Sequence, residues 1–177
     1  ASALPGTVDR CGHGGPSLAD WAAEQFAHAD ALIFVGAVGI AVRAIAPHCR
    51  NKAVDPAVVV LDECGHFAVP ILSGHLGGAN DLARALAAVC GAVPVITTAT
   101  DANGVFAVDA WARHQNCAVL EPERIKRVSS RLLAGGPVRY RSEFPIAGQA
   151  PAGVVPAGEA ERSDFVLTLF PAGDALH

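Results

Sequence analysis

The sequence predicts an α/β protein with an open, mostly parallel sheet covered by helices on both faces, followed by the start of a second small module. Three observations lead to this prediction. Short apolar segments alternate with helical patterns over the first 140 residues, glycine-rich turns join several of them, and proline and glycine punctuate the chain thereafter. Alternating strands and helices are typical of parallel sheets, because each crossover places a helix on a sheet face.

The composition fits a globular domain. Hydrophobic residues make up 51% and charged residues 17% of the 177 residues, which is enough apolar surface to bury a core. A net charge of −4 gives no reason to expect a nucleic-acid partner. The longest uncharged run near the N-terminus, residues 31–42, is shorter than the roughly 18 residues of a membrane span, and no secretory signal precedes it. We therefore expect a cytoplasmic protein with no membrane partner.

Cysteine usage predicts free thiols in a reducing compartment. The five cysteines are odd in number, and no Cys-x-x-Cys or His-x-x-x-His pair accompanies them. A disulfide framework or a structural zinc site is therefore not expected. The chain contains no methionine, which favours a first residue exposed by processing or cutting.

The first elements form a strand, glycine turn and helix. Apolar residues at helical spacing predict a helix over 17–29 with Ser17 as its cap. The apolar run 31–35 predicts a strand covered on both faces. A glycine turn follows, and then a short helix over 40–46 that Pro47 ends.

A hairpin and a second glycine-rich turn come next. Residues 57–61 predict a buried strand, and residues 67–72 a second extended segment, with a turn at 63–65 between them. The glycine-rich residues 73–80 then open a helix over 81–89, which Gly91 ends.

The remaining elements are shorter. The patterns predict a strand over 93–97, a polar turn over 98–104, a helix over 108–114, an extended segment over 117–120 and a helix over 122–133. We divide the chain into a flexible leader (1–16), an α/β domain (17–140), and a linker with part of a further module (141–177), whose one apolar segment is 165–170.

Three polar, glycine-bearing segments follow strands or apolar runs. In an open parallel sheet, ligands gather at the carboxyl ends of the strands. We therefore expect one rim of the sheet to carry residues 36–43, 73–81 and 97–101.

The middle segment is the richest in chemistry. His75 has the side chain best suited to general base catalysis near neutral pH. Gly77 and Gly78 precede a helix, where backbone N–H groups bind anions or a developing oxyanion. Ser73 would act as a cap or a nucleophile. The alternative interpretation is a structural turn whose glycines serve backbone shape, with Asn80 or Asp81 as the helix cap.

Basic and acidic residues nearby allow two interpretations. Arg43, Arg50 and Lys52 could bind ligand carboxylates, although a solvated helix end is equally consistent. The neighbours Asp62 and Glu63 suggest a carboxylate dyad, but adjacent side chains on a turn face apart, and acid–base work needs convergence on one atom.

Four segments in this order resemble the CbiG family of cobalt-precorrin-5A hydrolases, and the likeness runs from about residue 17 to residue 133. The segments are GAVGIAVRAIAPH (36–48), VLDE (60–63), SGHLGGANDLA (73–83) and PVITTATD (94–101). The apolar segment 165–170 is similar to the family's middle region. The family usually begins with an additional strand and helix and ends with a further domain, and neither is found in this sequence.

The resemblance implies an enzyme of anaerobic cobalamin biosynthesis. The family hydrolyses the δ-lactone on ring A of cobalt-precorrin-5A and releases acetaldehyde, giving cobalt-precorrin-5B. The implied partners are the cobalt-bound tetrapyrrole and the C-terminal domain of the same protein. Because the cobalt arrives with the substrate, neither a cofactor nor a protein metal site is required.

Applied to this lactone, the residues take specific roles. His75 would activate water, Asp101 or Asp81 would orient it, and Ser73 as an acylated nucleophile needs more assumptions. The candidate substrate-binding residues are Gly36, Gly39, Arg43, Gly77, Gly78, Asn80, Thr98 and Thr100.

Three other functions compete with the hydrolase. The chain could grip the tetrapyrrole while another domain performs the hydrolysis. A nucleotide-binding domain would need a phosphate fingerprint, which the glycine turns do not supply. A serine hydrolase would need Gly-x-Ser-x-Gly, and Leu72-Ser73-Gly74 lacks the preceding glycine of that motif.

Overall fold

A computed structural model describes residues 4–177, so residues 1–3 of the expected leader lie outside the described part. The chain divides into two compact units, Ala1–Ile96 and Thr97–His177. This division lies well before the boundary after residue 140 that the sequence suggested. The division into separate domains at residue 140 stays a prediction.

The first unit is built on a four-stranded sheet in the order β1-β2-β3-β4. β1 and β2 are parallel, β2 and β3 form the expected antiparallel hairpin, and β3 and β4 are parallel. The mostly parallel α/β fold is therefore confirmed. The strands are β1 (Ala31–Val35), β2 (Ala57–Leu61), β3 (Phe67–Leu72) and β4 (Val93–Pro94), and the helices are α1 (Leu18–His28), α2 (Val38–Ile45) and α3 (Ala79–Cys90).

Helices cover both faces of this sheet, as expected. Because side chains alternate along a strand, β2 contributes to two cores. Val58 and Val60 pack in one cluster with buried residues of α1 and α2. Ala57 and Val59 pack on the other face with buried residues of α3. The central strand is thus buried on both sides.

The expectation that β1 is covered on both faces is wrong. Its burial alternates, with Leu32 and Phe34 buried in the core that α1 and α2 share. On the other face Ile33 is 37% exposed and Val35 is 69% exposed. The physical reason is position, because β1 is the edge strand and α3 packs on β2, β3 and β4.

Ser17 caps α1 as predicted. Its hydroxyl oxygen accepts a hydrogen bond from the Asp20 N–H at 3.1 Å and donates to the Asp20 carboxylate at 2.7 Å. On the same helix the Trp21 ring lies edge-on to Phe34, with centroids 5.4 Å apart. Trp21 therefore reports on the packing of α1 against β1.

Replacing Ser17 with alanine is expected to lower the free energy of unfolding of the first unit by about 1 kcal/mol, because an N-terminal N–H of α1 loses its partner. The measurement is urea unfolding followed by Trp21 fluorescence in a Trp111→Phe background. Ser130→Ala, at an exposed position within the helix Ile125–Leu133 of the second unit, is the matched control. An equal loss in both variants would contradict the capping role.

Several boundaries differ from the sequence prediction. α2 begins two residues earlier than expected and continues into a 3₁₀ turn, Ala46–His48, which contains Pro47. β4 is only two residues long. The expected extended segment 117–120 forms no strand. The last helix is a 3₁₀ turn, Pro122–Arg124, followed by an α-helix.

The second unit holds three short helices and a small three-stranded sheet, where the sequence predicted only the start of a second module. The sheet is parallel, in the order β6-β5-β7, and Phe165 of β7 stacks on Tyr140 of β5 with centroids 5.9 Å apart. In residues 4–177, no helix combines the length and apolar character needed to cross a membrane. The elements are α4 (Ala99–Ala102), α5 (Val108–His114), α6 (Ile125–Leu133), β5 (Val138–Ser142), β6 (Val154–Pro156) and β7 (Phe165–Leu167).

Glu121 connects the start of the last helical segment to His177. Its carboxylate accepts a hydrogen bond from the His177 N–H at 2.9 Å and lies 3.1 Å from ring Nδ1. Burial opposes ionisation, but the pKa of Glu121 is lowered because these His177 contacts and the charge of Arg124 favour the carboxylate. Ionised Glu121 therefore stabilises the second unit.

This contribution predicts a pH-dependent stability. For a carboxyl whose folded pKa is lowered, the stabilisation is complete above the unfolded value of about 4.5 and is lost as pH falls through the lower folded value. Glu121→Gln should therefore be less stable than the unmodified chain above about pH 4.5, and the gap should close on further acidification. Urea unfolding followed by Trp111 in a Trp21→Phe background measures it. A gap that does not depend on pH, or the same closing gap in the exposed Glu123→Gln, would contradict the assignment.

Candidate functional site

The turn between β3 and α3, residues 73–80, folds back on itself. The Ser73 carbonyl accepts from the Ala79 N–H at 3.1 Å, and the Gly74 carbonyl accepts from the Asn80 N–H at 3.0 Å. The His75 carbonyl accepts from the Gly78 N–H at 3.0 Å. These bonds use the N–H groups of Gly78, Ala79 and Asn80 inside the turn, so these three groups are not open donors for an anion.

Glycine is required at two positions of this turn. A Cβ on Gly77 would lie 2.4 Å from the Ser73 Cβ and 2.9 Å from its carbonyl oxygen. Gly78 has φ +85° and is the N-cap residue of α3. The expectation of an Asn80 or Asp81 cap is therefore wrong, since both residues lie inside the first turn of the helix. The glycines serve backbone shape, as the structural interpretation proposed.

Ser73 anchors the turn to the loop before β2. It has φ +54°, is buried, and its hydroxyl donates to the Asp55 carbonyl at 2.9 Å. The Asp55 carboxylate in turn accepts from the Arg50 N–H at 2.9 Å. Because the Ser73 hydroxyl proton is used in a buried structural bond, the geometry does not support Ser73 as a nucleophile.

The expectation that residues 36–43 and 73–81 line one rim is wrong. β3 runs antiparallel to β2, so its carboxyl end lies at the amino end of β2, where Ser73 meets Asp55. Gly36 lies at the other end of the strands, beside the carboxyl end of β2, where its N–H donates to the Leu61 carbonyl at 2.9 Å. The length of β2, residues 57–61, separates these two ends of the sheet by about 13 Å at the usual rise per residue of a strand.

Arg43 lies in the last turn of α2. Its guanidinium lies 3.2 Å from the Gly39 carbonyl, toward the first turn of α2. Arg50 and Lys52 lie in the exposed loop before β2, at the same end of the strands as the turn that carries His75.

Two of the candidate catalytic residues, His75 and Asp81, lie on the turn and on the helix that follows it. His75 is half-buried within the turn, and Asp81 lies in the first turn of α3 with its carboxylate 3.3 Å from the Arg84 guanidinium. The Gly78 N–H is already used as a donor, so Gly77 is the remaining candidate oxyanion donor of the pair.

Three predicted residues belong to the second unit. Thr98 precedes α4, and its hydroxyl donates to the Asp101 carboxylate at 2.5 Å. Thr100 is buried. The role of Asp101 as an orienting group for His75 stays a prediction, as do the substrate contacts of both threonines.

The tip of the β2–β3 hairpin gathers polar groups that sequence reasoning treated separately. Asp62 accepts from the Phe67 N–H at 2.6 Å and from the Cys64 N–H at 3.2 Å, and His66 Nδ1 lies 3.7 Å from its carboxylate. The pKa of Asp62 is lowered, chiefly by the Phe67 N–H. The Asp62 carboxylate thus belongs with Cys64 and His66 rather than with Glu63, and the spacing Asp-x-Cys-x-His was the signal for it.

The fold and the turn at residues 73–80 define a class of protein: an α/β domain whose candidate site is a glycine-rich turn between an antiparallel strand and a helix. Residues 20–101 match the family model Cobalamin synthesis G N-terminal. This match to the N-terminal part of the cobalamin synthesis G family confirms the resemblance seen in the sequence.

Named relatives agree with the family match. The chain is 47% identical to the cobalt-precorrin-5A hydrolase of Salmonella typhimurium over 116 residues, which is 66% of this chain and 33% of the relative. It is 41% identical to the cobalt-precorrin-5A hydrolase of Priestia megaterium over 102 residues, 58% of this chain and 27% of the relative. The chain therefore spans about a third of the length of the relatives it matches.

A solved structure is also similar. It is the crystal structure of a cobalamin biosynthesis protein G homolog from Sulfolobus solfataricus, with a TM-score of 0.48 and 24% sequence identity. The similarity covers 82% of this chain and 42% of that chain.

Proposed function

We propose that this chain is part of a cobalt-precorrin-5A hydrolase, which opens the ring A δ-lactone and releases acetaldehyde. The observation that carries the proposal is the family match over residues 20–101, because these residues include the turn 73–80. The identity to two named hydrolases supports the same activity. A cytoplasmic location is part of the proposal.

In this proposal His75 is the general base. It takes a proton from water as the water oxygen adds to the lactone carbonyl, and the ring C–O bond then breaks to give a carboxylate and a free hydroxyl. Loss of the hydroxyl proton allows the neighbouring carbon–carbon bond to break: the alkoxide oxygen becomes the carbonyl of acetaldehyde, and the electron pair of the broken bond stays with the macrocycle carbon. The backbone hydrogen bonds within residues 73–80 support this role, since they hold the His75 backbone in one conformation.

Two further groups on the same edge complete the proposed site. The Gly77 N–H would donate to the tetrahedral oxyanion, in place of the Gly77–Gly78 pair. Arg50 and Lys52, in the loop before β2 at the end of the sheet that carries His75, would bind peripheral carboxylates of the macrocycle together with Arg43. Cobalt enters as part of the substrate, and the reaction needs no resident cofactor.

A partner region is also part of the proposal. The matched segments cover 33% and 27% of the two named relatives, so the region of the relatives beyond them is the candidate to complete the site. That Asp101 orients His75 stays a prediction.

The test combines binding with turnover. The chain is titrated with cobalt-precorrin-5A, followed by absorption, and acetaldehyde is measured with the chain alone and after addition of the remaining region of the Salmonella relative. Binding together with acetaldehyde release in either mixture supports the proposal. Binding without release in both would identify a tetrapyrrole-binding module instead, and no binding would overturn both functions.

A further inference from the structure

The β2–β3 hairpin tip carries three different metal-ligating side chains on alternate residues. Asp62, Cys64 and His66 each offer one ligand atom, and these atoms all lie within 4.8 Å of one another. Asp62 is partly exposed, and both Cys64 and His66 are exposed. We propose that these three side chains bind a divalent transition-metal ion of the zinc type at the hairpin tip.

The distances suit such an ion. Four ligand atoms placed tetrahedrally around zinc at its usual bond lengths are roughly 3.3–3.8 Å apart. The His66 Nδ1 to Asp62 Oδ2 distance of 3.7 Å is already in that range. Bringing Cys64 Sγ into the same range needs a movement of about 1 Å, which rotation of an exposed side chain provides.

The backbone fixes the carboxylate that would begin the site. Asp62 Oδ1 accepts from the Phe67 N–H, and the Gly65 N–H donates to the Asp62 carbonyl at 2.9 Å, which closes the turn at a residue with φ +73°. Asp62 Oδ2 also accepts from the Cys64 N–H at 3.2 Å, and these hydrogen bonds still leave lone pairs on the carboxylate oxygens for a cation. Ligands that hold their own hydrogen bonds lose less freedom when the metal binds.

The ligand types select the metal class. Thiolate and imidazole favour zinc, cobalt and related late divalent ions over magnesium and calcium, which prefer oxygen ligands. Three protein ligands leave the fourth position to water or to an exogenous group, as in open zinc sites. A bound ion would join the end of β2 to the start of β3. This inference does not depend on the proposed hydrolysis, which uses the opposite edge of the sheet.

Cobalt(II) is the probe, because its absorption reports ligand type. The reduced 177-residue chain in metal-free buffer should show visible d–d bands and a thiolate-to-cobalt charge-transfer band that saturate at one Co²⁺ per chain. Zinc should displace both bands. A metal bound only to the folded hairpin should also raise the unfolding midpoint of the first unit as the free metal concentration rises.

Substitutions separate this site from other thiols. Cys64→Ser should abolish the charge-transfer band, and His66→Ala should weaken Co²⁺ binding roughly tenfold or more. Cys117→Ser, at another exposed cysteine, is the matched control and should leave both unchanged. All three positions are exposed, so circular dichroism should show intact folds. The absence of a saturable thiolate band, or a band that survives Cys64→Ser, would overturn the proposal.

Discussion

Replacing His75 with alanine is expected to lower acetaldehyde release by about 10²–10⁴-fold, the usual contribution of a positioned general base. The effect should fall on the rate of the chemical step and leave tetrapyrrole binding nearly unchanged, since Arg50 and Lys52 supply the proposed binding contacts. The measurement is acetaldehyde formation in the active mixture, with binding followed separately by absorption. Added imidazole should restore part of the lost rate.

The control for this substitution is His28→Ala, at an exposed position in the last turn of α1. It removes the same side chain from a helix outside the candidate site and should keep the full rate. If His75→Ala retains full acetaldehyde release while binding is intact, His75 is not the base, even though the family assignment stands.

Replacing Gly77 with alanine is expected to lower the free energy of unfolding of the first unit by about 3 kcal/mol, at the upper end of overpacking effects. The added methyl group would stand 2.4 Å from the Ser73 Cβ and 2.9 Å from the Ser73 carbonyl oxygen. Ser73 is buried and bonded to the Asp55 carbonyl, so the neighbour cannot move aside cheaply. Urea unfolding followed by Trp21 in the Trp111→Phe background measures the loss.

Gly39→Ala is the matched control for this loss. Its new Cβ would meet only the end of the Arg43 side chain, at 3.4 Å, and Gly39 lies within α2. Alanine there should raise the free energy of unfolding by roughly 0.5–1 kcal/mol, because it has the higher helix propensity. If Gly77→Ala is as stable as Gly39→Ala, the turn is not as tightly packed as its geometry indicates.

Local patterns predicted the secondary structure well where side-chain periodicity and caps coincide. α1 begins after its Ser17 cap, and α3 ends at Gly91, whose φ of +74° suits glycine. The prediction was poorer for β4, because two residues of strand carry no period that can be recognised. Short elements depend on neighbours that the local sequence does not reveal.

The candidate site was only partly predictable. The residues 73–81 were selected correctly as the richest turn, but their placement beside residues 36–43 was wrong. The information was present in the hairpin itself, because a tight turn between two strands makes them antiparallel and sends the end of β3 to the opposite edge. The pairing of Ser73 with Asp55 lay beyond pattern reasoning, since it joins residues 18 positions apart.

The amino-acid sequence by itself determined the α/β class, the family resemblance and the residue types available for chemistry, because these follow from local periodicity, from glycine and proline positions, and from motifs of contiguous residues. Only the tertiary structure decided which residues share an edge of the sheet, which hydroxyl and N–H groups are already used, and which side chains meet at the hairpin tip. The physical reason is that strand direction and hydrogen-bond pairing are properties of distant segments brought together, and they determine where each side chain can act.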